Sequence, residues 1–206
     1  MKSFRMKPTP VKASRIILAT QSTARCELMK KLSVTFETCV SGYHEDMNAY
    51  KSSWRLAQFL ALGKARYVAK KFPSSLIIGA DTFITCDGGK IGKPTSITDA
   101  KRIIRSMSGR VIGVYSGVAV VQTNSKGEVI QEEAQYALTR LHIKKMNAQE
   151  VDLLAYQKNA LKISGAFSIE GEGGKMITKI DGDYDNVIGL PLFLLGPMLR
   201  RFGVMR

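Results

Sequence analysis

Seven residues limit the folds open to this chain more than any others: Leu76-Ile77-Ile78-Gly79-Ala80-Asp81-Thr82. Three bulky apolar residues in succession read as a buried strand. Gly79 and Ala80 then thin the backbone, and a carboxylate, Asp81, follows at once. A carboxylate placed where a buried strand opens out is either a structural hydrogen-bond acceptor or a site group.

The surrounding pattern predicts an interleaved order of strands and helices. Residues 15–20 form a short buried strand, and Ser22 caps a helix through Leu32 with an apolar stripe of Leu28, Met29 and Leu32. Residues 34–40 alternate loosely and end in the loop 41–46. A long helix over 52–71 carries the stripe Leu56, Phe59, Leu60, Gly63 and Tyr67. The central strand spans 75–86 and turns through Asp87-Gly88-Gly89 into a hairpin. Gly92-Lys93-Pro94 leads to a helix over 98–107, followed by strands over 110–122 and 129–142. Asn147 caps a helix to 157, and a glycine-rich stretch (Gly165, Gly171, Gly173, Gly174) precedes a strand over 175–180. Residues 182–189 read as a polar loop, and 191–202 as a closing helix that Gly196-Pro197 should kink or delay. Strands alternating with helices give an α/β class. Residues 1–14 read as a flexible basic extension and 15–206 as the folded domain, one large domain or two lobes sharing a sheet.

Charge narrows the partners. Lysine and arginine outnumber acids 31 to 17, a formal charge of +14, so the field attracts nucleic acid, phosphorylated small molecules or anionic membrane. Part of the excess (Lys2, Arg5, Lys7, Lys12, Arg15) lies in the acid-free N-terminal stretch, where a disordered tail is preferred to a transit peptide. Two histidines, His44 and His142, cannot build a multi-histidine metal site. Three cysteines without metal-type spacing suit a reducing, cytoplasmic compartment, and no run reaches membrane-span length.

Several polar residues stand where a core should be apolar. Arg25 falls in the first turn of its helix, against the helix dipole, with Leu28 and Met29 on the same face. It either bends back to solvent or joins Ser22 and free N–H groups around a phosphate. Lys64 interrupts the stripe of the long helix, and taken singly it reads as a snorkelling lysine. Lys93 is held between Gly92 and Pro94, which suits a fixed charge or any loop. If the loop bearing Glu45 folds over the end of the central strand, Glu45 and Asp81 could share a divalent cation with substrate phosphates. The 165–174 stretch matches neither the P-loop nor the dinucleotide fingerprint, and no nucleophile elbow is present.

Taken together these residues resemble the Maf family of nucleoside triphosphate pyrophosphatases. The opening Ile17-Leu18-Ala19-Thr20-Gln21-Ser22-Thr23-Ala24-Arg25-Cys26-Glu27-Leu28 is similar to the family's I-L-A-S-x-S-P-x-R-R-x-L. Phe36-Glu37 through His44-Glu45 resembles its F-E-x-x-x-S-x-x-D-E segment. Ile78-Gly79-Ala80-Asp81-Thr82 and Ile91-Gly92-Lys93-Pro94 resemble G-A-D-T and L-G-K-P. Met107-Ser108-Gly109-Arg110 through Ser116-Gly117-Val118-Ala119 resembles L-S-G-R…T-G-V-A, and Gly165-Ala166-Phe167 and Asn186 through Leu192 match the last two motifs.

The resemblance implies a two-lobed α/β fold with a central mixed sheet and a cleft. It implies division of a nucleoside triphosphate into monophosphate and pyrophosphate with a divalent metal, Mg2+ or Mn2+. Asp81 and Glu45 would bind the metal and activate water; Ser22, Arg25, Lys64, Thr82 and Lys93 would hold phosphates. The family's start motif carries two adjacent basic residues or a tryptophan, whereas this chain has Ala24, Arg25 and Cys26, so Ala24 bears on base contacts. His44 stands in place of an aspartate. Glu170 replaces the glutamine of the pyrimidine-preferring branch and resembles the branch that takes 7-methyl-GTP. A carboxylate only accepts hydrogen bonds, which suits the paired donors of guanine, so a guanine-type preference is the expectation and dTTP or UTP the alternative. A homodimer is compatible with the family. A nucleic-acid module is disfavoured because no RNA-recognition or zinc motif accompanies the charge, and a cell-division role is the other alternative.

Overall fold

The computed structural model describes residues 15–205; the expected basic extension lies outside the described residues. Its frame is a mixed seven-stranded sheet ordered β2-β1-β3-β5-β6-β7, with β4 also on β3. The strands are β1 (Arg15–Ala19), β2 (Glu37–Thr38), β3 (Ser75–Cys86), β4 (Gly89–Ile91), β5 (Val111–Thr123), β6 (Val129–Ile143) and β7 (Ile177–Asp181). The helices are α1 (Thr23–Lys30), α2 (Ser53–Ala69), α3 (Ile97–Met107), α4 (Ala148–Ala155), α5 (Tyr184–Ile188) and α6 (Leu192–Arg201). No helix among these residues is long and apolar enough to cross a membrane.

The long strand β3 is the axis. Along one edge it pairs antiparallel with β5 from Leu76 through Cys86. Along the other it pairs parallel with β1 over Ser75–Gly79 and antiparallel with β4 over Ile84–Cys86. Among the described residues, Ala80, Asp81, Thr82 and Phe83 therefore have no strand partner on that second edge. Apolar clusters lie to either side of this gap. One, built on α3, α4 and the Ile112 end of β5, packs around Ile104, Met107 and Leu154. Two others cover opposite faces of the β1 end: Leu18, Ile78 and α6 on one, Ile17, Ile77 and α2 on the other.

The apolar face of α2 is not the expected one. Leu56, Ala57, Leu60, Ala61, Lys64, Ala65, Val68 and Ala69 are buried, whereas Tyr67 is 40% exposed. The face is set by close approach rather than by bulk. A Cβ on Gly79 would stand 2.2 Å from the Ala61 carbonyl oxygen, and one on Gly117 would stand 1.9 Å from that of Ala57. Glycines on the strands and alanines on the helix bring the two backbones together, and this pulls position 64 onto the sheet.

Smaller differences have local causes. The strand expected over 34–40 is reduced to Glu37–Thr38, since only these residues run alongside β1. The loop expected over 182–189 contains α5, capped by Asp183, whose carboxylate accepts from the Asn186 N–H at 2.7 Å. The closing helix starts at Leu192, so Gly196-Pro197 does not delay it, and Pro197 sits within it. The last strand begins at Ile177 because residues 171–176 wind into a 3-10 segment.

Candidate active site

Successive residues of a strand point to opposite faces, and at the unpaired stretch of β3 this splits two polar side chains. Asp81 faces α2. Its neighbour in β5 is Gly117, which adds no side chain, so the carboxylate meets the helix directly. Lys64 Nζ donates to Asp81 Oδ1 at 2.5 Å and lies 2.8 Å from Glu45 Oε1. The side chains of Lys64 and Asp81 are only 10% and 7% exposed; that of Glu45, on the loop before α2, is 44% exposed. The snorkelling reading of Lys64 is thereby overturned. The close approach of α2 to Gly79 and Gly117 holds position 64 against the sheet, where its ammonium meets Asp81 rather than water.

That loop is pinned at two further points. Tyr43 occupies the space that a side chain at Gly63 would need, and Lys90 of β4 donates to the Met47 carbonyl. Glu45 is thus brought to Asp81 as the sequence expectation required, with Lys64 between them. A group of three or more His, Cys, Asp or Glu side chains suited to a metal ion does not occur among the described residues. Two carboxylates meeting at one cation nevertheless fit magnesium or manganese, which commonly takes one or two protein oxygens and completes its shell with phosphate and water.

Thr82 faces the other way, toward α1 and the C-terminal end of α5. Ser22 caps α1, its Oγ accepting from the Arg25 N–H at 3.3 Å, and the Ser22 N–H donates to Thr20 Oγ1 at 3.0 Å. From this first turn the Arg25 side chain crosses to the sheet. Its Nε donates to the Gly189 carbonyl at 2.8 Å, and Nη2 donates to Thr82 Oγ1 at 3.1 Å. Burial lowers the Arg25 pKa from its ordinary value, while Asp81 and Glu45 oppose that shift through their negative charge. An arginine guanidinium nonetheless remains protonated in proteins. Ser22, Arg25 and Thr82 approach the open edge from one face, and Lys64, Asp81 and Glu45 from the other.

The remaining expected residues are not in contact with this cluster. Lys93 is exposed in the turn after β4, and its ammonium forms no ion pair among the described residues. Its neighbour Gly92 accepts from the Gly165 N–H at 3.2 Å, which ties the turn to the glycine-rich stretch. Ala24 is half-buried in α1 and offers only a methyl group. Glu170 is exposed before the 3-10 segment; its N–H donates to Ser168 Oγ at 3.2 Å.

Sequence reasoning missed a buried polar chain behind Thr82. Thr82 Oγ1 is 2.8 Å from Ser116 Oγ, and the Ser116 hydroxyl donates to the Asn186 carbonyl at 2.9 Å. Asn186, fully buried, donates from Nδ2 to Thr139 Oγ1 at 2.9 Å and to the Val114 carbonyl at 3.2 Å. The available signal was the alternation of β5: Ser116 stands on a face otherwise held by Val114, Val118 and Val120.

Comparison with known proteins identifies the family. The family model described as Maf-like protein matches residues 15–202. A dTTP/UTP pyrophosphatase of Methanococcoides burtonii is 36% identical over 191 residues, 92% of this chain and 96% of that one. Proteins of the same name from Dictyoglomus thermophilum (36%; 91% and 96% covered) and Bacillus mycoides (35%; 91% and 95% covered) are similar to it at comparable levels. A HAM1 protein from Coxiella burnetii superimposes with a TM-score of 0.43 at 14% identity, over 64% of this chain and 74% of that one. The chain belongs to the Maf-like family of nucleoside triphosphate pyrophosphatases.

Proposed function

We propose that this enzyme hydrolyses dTTP or UTP to the monophosphate and pyrophosphate with the help of a divalent cation. The observation that carries the reading is the meeting of Asp81, Glu45 and Lys64 on one face of the unpaired β3 stretch, with Arg25 reaching it from the other. The pyrimidine substrates are taken from the names of relatives that align over more than nine-tenths of the chain.

In this mechanism Asp81 and Glu45 would hold Mg2+ or Mn2+, which when bound would polarise the phosphate and make water more acidic. Water oxygen attacks the α-phosphorus, the bond to the α–β bridging oxygen breaks, and the water proton passes to a carboxylate. Arg25 and Lys64 bind non-bridging oxygens, Ser22 supplies a hydroxyl, Thr82 acts by holding Arg25, and Lys93 neutralises charge on the departing pyrophosphate. Little covalent chemistry is asked of the protein, since phosphoryl transfer rests mostly on positioning and charge stabilisation. Lys64 has a further consequence. With its ammonium between the two carboxylates, like charges are kept together without metal, and the site is assembled before substrate arrives.

Glu170 favours a second reading, 7-methyl-GTP, because a carboxylate accepts from the guanine edge and attracts the positive methylated ring. Steady-state kcat/KM on a panel of dTTP, UTP, CTP, GTP and 7-methyl-GTP separates the two. We expect dTTP or UTP to lead 7-methyl-GTP by about tenfold or more, the discrimination given by one or two hydrogen bonds to a base edge. Should 7-methyl-GTP lead instead, Glu170→Gln is expected to narrow the gap.

A further inference from the structure

We infer that Ser116 is a positioning residue for the phosphate-binding arginine, acting through the hydroxyl of Thr82. The inference rests on the nucleotide reading of the site and deepens it. The direction of each proton follows from chemistry. A carbonyl only accepts, so the Ser116 hydroxyl spends its one proton on the Asn186 carbonyl at 2.9 Å. Ser116 Oγ is then an acceptor for Thr82, 2.8 Å away. With its proton committed to Ser116, Thr82 Oγ1 turns a lone pair to Arg25 Nη2 at 3.1 Å. A chain of fixed polarity thus runs from the backbone of α5, through Ser116 and Thr82, to the guanidinium.

The alternative acceptor shows what the chain prevents. Thr82 Oγ1 also lies 3.4 Å from the Gly189 carbonyl, which already receives Arg25 Nε at 2.8 Å. Without Ser116 the Thr82 proton turns to that carbonyl and competes with the arginine for it. Arg25 keeps its charge but loses its fixed orientation, and a planar guanidinium binds phosphate well only when its donors are aimed. Ser116 itself is fully buried, so it acts on the site through Thr82. The same turn is held by Asn186, whose Nδ2 bonds to Thr139 and Val114 anchor it to β5 and β6.

The test is a double-mutant cycle read by calorimetric binding of inorganic pyrophosphate with Mg2+, alongside dTTP kinetics. Ser116→Ala and Thr82→Val are each expected to weaken pyrophosphate about threefold to tenfold and to raise KM more than they lower kcat. The double variant is expected to be no worse than Thr82→Val alone, because Ser116 has nothing left to act through. In a Thr82→Ser background, which keeps the hydroxyl, the effect of Ser116→Ala is expected to return. Ser116→Cys, which fills the space with a weak donor, replaces Ser116→Ala if the latter melts early. Unchanged affinity in Ser116→Ala, or losses that multiply in the double variant, would overturn the inference, as would a wild-type protein that binds no pyrophosphate. A wild type that shows this cycle yet turns over no nucleotide would refute the pyrophosphatase reading and leave the positioning role standing.

Discussion

Asp81→Asn is expected to reduce pyrophosphate release by on the order of 10³-fold, the scale on which removal of one preorganised charge lowers turnover. The substitution keeps the shape of the side chain and an oxygen facing Lys64, so the loss isolates charge. Stability should fall much less. Lys64 retains Glu45 at 2.8 Å, so no buried cation is stranded. The expected cost is about 1.5–3 kcal/mol, that of a hydrogen bond with a charged partner. Glu45→Gln should lower turnover comparably with a smaller stability loss, since its side chain is 44% exposed against 7% for Asp81. Steady-state assays with urea denaturation of the same preparations check both halves. A variant of Asp81 that loses fold and activity together would mean that the carboxylate is structural.

Gly117→Ala is expected to be the most destabilising single-methyl change in the site region, costing about 3 kcal/mol or more, at the upper end of overpacking effects. The added carbon would stand 1.9 Å from the Ala57 carbonyl oxygen and 2.4 Å from its carbon, both backbone atoms of α2. Neither can rotate away, so the helix must lift. Lys64, two turns along the same helix, would be drawn off Asp81, and activity should fall with stability. Gly92→Ala is the contrast: none of the described residues lies within 4 Å of the point where its added methyl carbon would stand, and stability should change by less than about 0.5 kcal/mol. Denaturant midpoints of the two variants give the comparison.

Much of this fold was legible because it obeys local rules. The central strand falls on the apolar run and hairpin signal that were expected, and Ser22 and Asn147 cap their helices as their residue type dictates. The face of α2 was not legible, because large residues such as Phe59 and Tyr67 outweigh alanines in any apolar pattern. What decides the face is the absence of side chains at Gly79 and Gly117, which lie far from α2 in sequence. Lys64 was singled out in the sequence, but not its burial, which depends on that approach and on a carboxylate 17 residues away. Asp81 and Glu45 were found by residue type and family pattern, and the fold brings them to one ammonium. Ser116 was marked only by its place on an apolar face of β5, and its role needs the partners Thr82 and Asn186, which lie 34 and 70 residues away.

The most direct measurement of the central claim is the identity of the products. Wild-type protein, Mg2+ and dTTP would be quenched at intervals and resolved by anion exchange and phosphorus NMR. The expected result is dTMP and pyrophosphate in equal amounts, with both formed on the order of 10³-fold more slowly by Asp81→Asn at the same protein concentration. Orthophosphate with dTDP, or pyrophosphate release undiminished in Asp81→Asn, would contradict the mechanism assigned to this site.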